Sequence, residues 1–174
     1  MKIVVISASP RKTANTQIMM KFVYDYAKSQ NHDVKFINLS DGGIDYYRGP
    51  NENYSQTTIN AVNDITQADV WLVGTPIYNS FFSSALKNLF EYINYKNTTG
   101  KTAGLAILAS GQIGFTNVQT LLTQLMSYFR VITNPKALFM TADQIKDGII
   151  VDENAKIRLN ELVDETLSLA SRQN

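Results

Sequence analysis

The sequence alternates short apolar runs with longer amphipathic stretches, and this alternation restricts the fold more than any other feature. The first run, residues 2–6 (KIVVI), has no polar alternation, which predicts a strand buried on both faces of a sheet. Residues 15–30 instead place apolar side chains at helical spacing. Later strands are predicted at 34–37, 70–73, 103–109 and 136–140, and later helices at 59–67, 86–93, 118–129 and 157–169. Repetition of strand and helix in this way predicts an α/β fold, a parallel sheet with helices on both faces.

Composition restricts the domain count and the kinds of site that the chain can build. No linker rich in Pro, Gly or Ser divides the 174 residues and no segment repeats, so we predict a single domain over residues 1–174. Lys and Arg number 16 against 15 Asp and Glu, a balance that favours neither a nucleic-acid nor a membrane-surface partner. The absence of cysteine excludes disulfides, thiolate nucleophiles and cysteine-bound zinc, and the single histidine excludes a multi-histidine metal site. The apolar start (MKIVVISAS) is too brief for a signal peptide, so we expect a cytoplasmic protein.

The loop after the first predicted strand has the composition of a phosphate site. In an open parallel sheet, ligands bind beyond the carboxyl ends of the strands, where the strand order reverses. Residues 7–16 (SASPRKTANT) lead into a helix, whose first N–H groups and positive dipole end attract anions. Arg11 adds a planar donor fork suited to phosphate, with Lys12 beside it. The alternative interpretation is that Asn15 or Thr16 serves as an ordinary N-cap. The loop matches neither a Walker loop nor a G-x-G-x-x-G turn.

Two further loops are predicted at the same edge of the sheet. After the third strand, residues 74–80 (GTPIYNS) combine a stiffening Pro76 with the flat side chain of Tyr78. After the fourth strand, residues 110–114 (SGQIG) contain two glycines that let a flat ligand approach the backbone closely. The joint placement of the three loops predicts one ligand site.

Residues 40–57 do not follow the alternation of strand and helix. They show no clean period, and a segment of this length is either functional or an untethered connection. The segment contains Tyr46, Tyr47 and Tyr54, which are good contact residues.

The motifs S-P-R-x-x-x-N-T at residues 9–16 and T-P-I-Y-N…A-L-K-N at residues 75–88 resemble those of the NAD(P)H-dependent FMN reductase family. This family includes flavin, quinone, azo-dye and chromate reductases, and the resemblance covers nearly the whole chain. It implies a flavodoxin-like three-layer sandwich whose five-stranded parallel sheet has the order 2-1-3-4-5. The residues that it implies for the FMN phosphate are Ser9, Arg11, Asn15 and Thr16, and those for the ring and ribityl chain are Pro76, Ile77, Tyr78 and Asn79. We expect Ser110 and Gly111 at the other edge of the ring, and Gln17, Gln112 and Gly114 to complete the cofactor site.

The resemblance implies an oxidoreductase that takes electrons from NAD(P)H through FMN and passes them to flavin, quinone, azo or similar small acceptors. We assign no acid–base residue, because the flavin supplies the chemistry, and expect backbone N–H groups of the second and third loops to stabilise the reduced ring. The alternative is a flavodoxin-type electron carrier between protein partners, which Arg11 and the balanced charge disfavour. We expect Tyr46, Tyr47 and Tyr54 to cover the bound substrate. Aromatic residues near 81–95, together with the resemblance, predict a homodimer or a dimer of dimers.

Overall fold

The computed structural model describes residues 1–111 and 113–173, which form a parallel sheet between two layers of helices. The sheet strands in chain order are β1 (Lys2–Ser7), β2 (Asp33–Asn38), β3 (Val70–Pro76), β4 (Thr102–Ala109), β5 (Ile132–Thr133) and β6 (Leu138–Thr141). They are arranged in the order β2-β1-β3-β4-β5, with β6 also paired to β4. Every residue of β3 and β4 is buried, which is why these strands read as unbroken apolar runs. The predicted order 2-1-3-4-5 is confirmed.

Helices cover both faces of the sheet. The helices are α1 (Asn15–Ser29), α2 (Gln56–Gln67), α3 (Ser84–Glu91), α4 (Phe115–Tyr128) and α5 (Glu153–Ser171). Side chains alternate between the two faces along β1, so that Ile3 and Val5 pack with α1 and α5, and Val4 and Ile6 pack with α2, α3 and α4. The three-layer sandwich is thus the predicted one. None of the described helices is long and apolar enough to span a membrane.

Trp71 is the largest fully buried side chain in the described part of the fold. It lies on β3, with its ring centroid 5.5 Å from that of Phe90 on α3 and 6.3 Å from that of Phe129. Its Nε1 donates a 2.9 Å hydrogen bond to the carbonyl of Ile65, so the polar atom of the ring is satisfied. This aromatic cluster joins β3 to three helical elements on one face of the sheet.

The last sheet position differs from the prediction. One strand was expected over 136–140, whereas β5 and β6 both run parallel to β4 and are separated by residues 134–137. Pro135 lies in this gap and has no N–H with which to continue the ladder. The N–H of Asn134 donates to the carbonyl of Ala103 at 2.7 Å before the chain leaves the sheet. Proline therefore separates β6, which overlaps the predicted strand, from a short strand β5 that was not predicted.

A short antiparallel hairpin follows the sheet and was not predicted. It pairs β7 (Ile145–Lys146) with β8 (Ile149–Ile150). The two residues between them, Asp147 and Gly148, have φ of 49° and 76°. Positive φ at both central positions is typical of a type I′ turn, for which Asp-Gly is a favoured sequence. The hairpin therefore had a sequence signal in Asp147-Gly148.

Residues 42–55 form an anchored loop rather than an untethered connection. The carbonyl of Asp45 accepts hydrogen bonds from Asn88 Nδ2 at 2.8 Å and from the Tyr92 hydroxyl at 2.7 Å. Its carboxylate accepts from the N–H of Ser55 at 2.7 Å and from Thr58 Oγ1 at 2.9 Å. These hydrogen bonds, that from the Ser55 N–H first, lower the pKa of Asp45 from its ordinary value. Asp45 thereby ties the loop to α2 and α3.

Candidate functional site

A cleft of about 720 Å³ opens beyond the carboxyl ends of β1, β3 and β4. Its walls are the loop after β1, the turn after β3 and the end of β4, which is the site that the sequence predicts. A volume of this size falls within the roughly 300–1,000 Å³ range of small-molecule sites. The lining residues are Pro10, Arg11, Thr13, Ala14, Asn15, Thr16, Pro76, Ile77, Tyr78, Asn79, Leu108, Ala109, Ser110 and Ala142.

Most of the predicted cofactor residues meet at this cleft. Those that line it are Arg11, Asn15, Thr16, Pro76, Ile77, Tyr78, Asn79 and Ser110. Ser9 has no exposed surface and lies behind the lining, in contact with Tyr78. Gln17, Gly111 and Gly114 are outside the lining, although Gly114 lies against the side chain of Ile77. Gln112 lies outside the described residues.

Helix α1 begins at the cleft without a side-chain cap from the described residues. Its N-cap is Ala14, so neither Asn15 nor Thr16 acts as the ordinary cap of the alternative interpretation. Side chains cap α2, α3 and α5, through Ser55, Ser83 and Asp152 respectively. The N–H groups of Asn15 and Thr16 and the positive dipole end of α1 are therefore open to an anion in the cleft, whereas the N–H of Gln17 is donated to the carbonyl of Ala14.

The turn after β3 holds its shape with two non-glycine residues in the left-handed region. Asn79 and Ser80 have φ of 49° and 65°. The turn is closed by hydrogen bonds from the N–H of Tyr78 to the carbonyl of Phe81 at 2.8 Å, and from the N–H of Phe81 back to Tyr78 at 3.0 Å. Asn117 on α4 donates from Nδ2 to the carbonyl of Ser80 at 2.9 Å. Strained backbone of this kind is concentrated at functional sites, where the surrounding structure enforces it.

The backbone of this turn has fewer amides available to a ligand than the sequence suggests. The N–H of Ile77 donates to the carbonyl of Leu108 at 2.9 Å, and the N–H of Tyr78 donates to Phe81. These two amides are engaged within the protein. The expectation that amides of the second loop stabilise a reduced ring therefore does not hold for Ile77 and Tyr78.

The site has the features that a flat ligand with a phosphate group requires. The uncapped start of α1 and the exposed Arg11 form an anion end. At Gly111, beside the opposite wall, an added Cβ would meet no atom within 4 Å, so the backbone there leaves room for a close ligand. Gly114, with φ of 94°, is the N-cap of α4 and positions that helix beside Ile77. FMN fits this combination of an anion end and open space beside a flat side chain.

The three tyrosines of the loop at 42–55 do not line the cleft in this chain. The ring centroids of Tyr47 and Tyr54 lie 5.0 Å and 4.8 Å from that of Tyr92 on the segment after α3. The pKa of Tyr92 is raised to about 12, and burial in this cluster is the largest of the causes. Tyr46, the third tyrosine of the loop, has 86% of its surface exposed. That these tyrosines cover a bound substrate stays a prediction.

Ala142 is a lining residue that the sequence did not indicate. It follows the carboxyl end of β6, which is another strand beside β4. A small apolar side chain has no chemical signature, and the predicted strand ended at residue 140 rather than at Thr141. The position of a residue directly after a parallel strand was the signal available for it.

Comparison with known proteins points to one family. Residues 1–145 match the family model described as NADPH-dependent FMN reductase. An NADPH azoreductase from a Bacillus species is 25% identical over 166 residues, which cover 95% of this chain and 90% of that protein.

Solved structures share the fold. An apo NADH:FMN oxidoreductase superposes with a TM-score of 0.80 at 21% identity, covering 95% of this chain and 88% of the other. An archaeal flavodoxin superposes with a TM-score of 0.67 at 14% identity, covering 97% and 99%. The fold is therefore flavodoxin-like, and because enzymes and carriers both have it, the fold alone does not separate their functions.

Proposed function

This chain belongs to the NADPH-dependent FMN reductase family, and we propose that it is an oxidoreductase that uses NAD(P)H and FMN to pass electrons to small acceptors. The observation that carries the proposal is the coincidence of the family match with a cleft at the switch between β1 and β3, beside an uncapped helix. When bound, FMN supplies the redox chemistry, accepting a hydride equivalent from the nicotinamide and passing the electrons on. The protein residues bind the flavin and orient it.

The phosphate end of the proposed site is the start of α1. Arg11, Asn15 and Thr16 line the cleft there, and the N–H groups of Asn15 and Thr16 at the helix start are open to an anion. Ser9 supports the same loop from behind, since its Oγ accepts a 3.3 Å hydrogen bond from the N–H of Arg11. Gln17 donates its N–H to Ala14 at 2.9 Å and helps to form the first turn.

The ring end of the proposed site lies between the turn after β3 and the end of β4. Pro76, Ile77 and Asn79 form one wall, and Ser110 stands at the other. Gly111 leaves room beside Ser110, and the expected contact of Gln112 remains part of the proposal. Because the amides of Ile77 and Tyr78 are engaged, any backbone stabilisation of charge on the reduced ring comes from other amides of these loops.

NAD(P)H and the acceptor are expected to use the cleft in turn. The chain has one set of cleft loops and no second dinucleotide turn in its sequence. We therefore expect room for one substrate at a time beside the cofactor, either NAD(P)H or the acceptor. The expected result is ping-pong kinetics, with parallel lines in double-reciprocal plots when NADH or NADPH is varied at several quinone concentrations. Intersecting lines would mean that donor and acceptor bind together and would contradict this order.

The second candidate, an electron carrier between protein partners, has less support. The family model and the azoreductase relative both carry enzyme names, and the net charge of +1 lacks the strong acidity expected of such carriers. Small flat acceptors such as flavins, quinones or azo dyes therefore remain the proposed partners, rather than a nucleic acid or a membrane.

We propose that the chain forms a homodimer or a dimer of dimers. The exposed side chains that support this are Tyr46, at 86%, and Phe81, at 55%, both large and apolar for a free surface. The loop at 42–55 and α3 would join the interface and close the flavin pocket. Light scattering at micromolar concentration is expected to give at least twice the 19.5 kDa chain mass. A monomer would contradict the proposal.

That the 174 residues act as a single domain in the cytoplasm stays a prediction.

A further inference from the structure

Tyr78 connects the two ends of the cleft. It belongs to the turn after β3, at the proposed ring end, yet its hydroxyl lies 2.9 Å from Ser9 Oγ in the loop after β1. The guanidinium carbon of Arg11 stands 4.7 Å from the centroid of the Tyr78 ring, within the range of a cation–π contact. Tyr78 therefore belongs to the turn after β3 but contacts two residues of the loop after β1.

The backbone of the turn fixes where this side chain can go. The two hydrogen bonds between Tyr78 and Phe81 close the turn, and Asn117 holds the carbonyl of Ser80 from α4. Below the turn, Thr75 Oγ1 accepts the N–H of Ser83 at 3.1 Å. The backbone of Tyr78 is thus held on both sides, and its side chain extends from this turn to Ser9.

The hydrogen bonds of Ser9 suggest which group faces the cleft. Ser9 is fully buried and does not line the cleft, whereas Tyr78 does. Ser9 Oγ already accepts the N–H of Arg11. If Ser9 donates its proton to the Tyr78 oxygen, the phenol proton is left to donate, and a phenol is a more acidic donor than an aliphatic hydroxyl. Successive hydrogen bonds of this kind polarise one another.

We propose that Tyr78 presents its hydroxyl to the cofactor phosphate, held there by Ser9 and covered by Arg11. This inference rests on the proposed function and changes one assignment within it. In this assignment Ser9 does not bind the phosphate directly. It is a positioning residue that acts through Tyr78. The selectivity for FMN over riboflavin, which lacks the phosphate, then depends on a residue of the ring turn.

The test compares the affinities of FMN and riboflavin for the apoprotein, measured by flavin fluorescence. Tyr78→Phe keeps the ring under Arg11 and removes only the hydroxyl. It is expected to weaken FMN binding by about tenfold or more, as for a hydrogen bond to a charged group, and to leave riboflavin affinity nearly unchanged. Tyr128→Phe, at a 65% exposed residue at the end of α4, is the matched control and should change neither affinity.

A double-mutant cycle separates the positioning role of Ser9 from direct binding. If Ser9 acts through Tyr78, the pair Ser9→Ala and Tyr78→Phe together should lose no more FMN affinity than Tyr78→Phe alone. Losses that add would mean that both hydroxyls reach the phosphate separately and would overturn the positioning role. Tighter FMN binding by Tyr78→Phe would mean that the phenol competes with the phosphate for Ser9, which overturns the inference.

The failure of this inference is distinguishable from failure of the proposed function. An unchanged ratio of FMN to riboflavin affinity in Tyr78→Phe overturns the role of Tyr78 while leaving the reductase intact. A wild-type protein that binds no FMN overturns both.

Discussion

Replacing Arg11 with Ala is expected to weaken FMN binding by about 2 kcal/mol or more, a loss of roughly 30-fold in affinity, because hydrogen bonds to charged groups contribute roughly 1.5–3 kcal/mol. Arg11 is exposed at the cleft and stands over Tyr78, next to the uncapped start of α1. Its planar fork can reach two phosphate oxygens at once. Titration of FMN against the apoprotein, followed by flavin fluorescence, measures the loss.

Two controls make the Arg11 result specific. Arg172→Ala removes an exposed guanidinium at the far end of α5, away from the cleft, and should leave FMN affinity unchanged. Riboflavin should bind Arg11→Ala about as well as it binds the wild type, since it has no phosphate. The wild-type affinity for FMN should also fall with added salt more steeply than that of the variant. Equal FMN affinity of wild type and variant would remove Arg11 from the phosphate site.

Replacing Trp71 with Ala is expected to lower the free energy of unfolding by about 3–5 kcal/mol, as for other buried Phe or Trp residues reduced to Ala. Trp71 is fully buried between Phe90 and Phe129, and close-packed surroundings cannot fill the space of an indole. The substitution also removes the donor to the carbonyl of Ile65. Urea unfolding followed by circular dichroism gives the change.

An exposed apolar residue is the control for the Trp71 variant. Ile157 on α5 is 56% exposed, and Ile157→Ala should change stability by no more than about 0.5 kcal/mol. A loss of under about 1 kcal/mol for Trp71→Ala would contradict the packing of β3 against α3 that the structure shows. Because β3 carries the turn with Tyr78, the same variant is expected to bind FMN poorly at temperatures where it begins to unfold.

The central strands were predictable because both of their faces are buried. Residues 70–73 and 103–109 are apolar without interruption, and the structure buries every residue of β3 and β4. The two-residue strand β5 carries no pattern of its own, with Ile132 exposed and Thr133 half-buried. Its pairing depends on β4, which lies about 30 residues earlier in the chain. Strand periodicity is informative only over more residues than β5 has.

The site was predictable as three loops but not as a set of contacts. Topology brings the carboxyl ends of parallel strands to one edge, so the lining by Arg11, Thr16 and Asn79 follows from their places after strands. The hydrogen bond between Ser9 and Tyr78 joins residues 69 apart in sequence. Such a contact depends on the direction and burial of both side chains. The spacing of residues along the sequence predicts neither.

The loop at 42–55 illustrates the same limit. Its turn-forming residues indicate an irregular segment, but they say nothing about Asp45, whose carbonyl and carboxylate take four hydrogen bonds from Ser55, Thr58, Asn88 and Tyr92. These donors come from the end of the loop, from α2, from α3 and from the residue after α3. An anchor made of tertiary contacts leaves no local periodicity.

The most direct test of the proposed reductase is anaerobic mixing of the FMN-loaded protein with NADH or NADPH in a rapid-mixing spectrophotometer. We expect the flavin absorption band to bleach within seconds with at least one of the two nicotinamides, and to return when a quinone is added. Free FMN at the same concentration is the control and should bleach far more slowly. If neither nicotinamide reduces the bound flavin, yet a protein reductase does, the chain is an electron carrier and the account of it as a reductase is wrong.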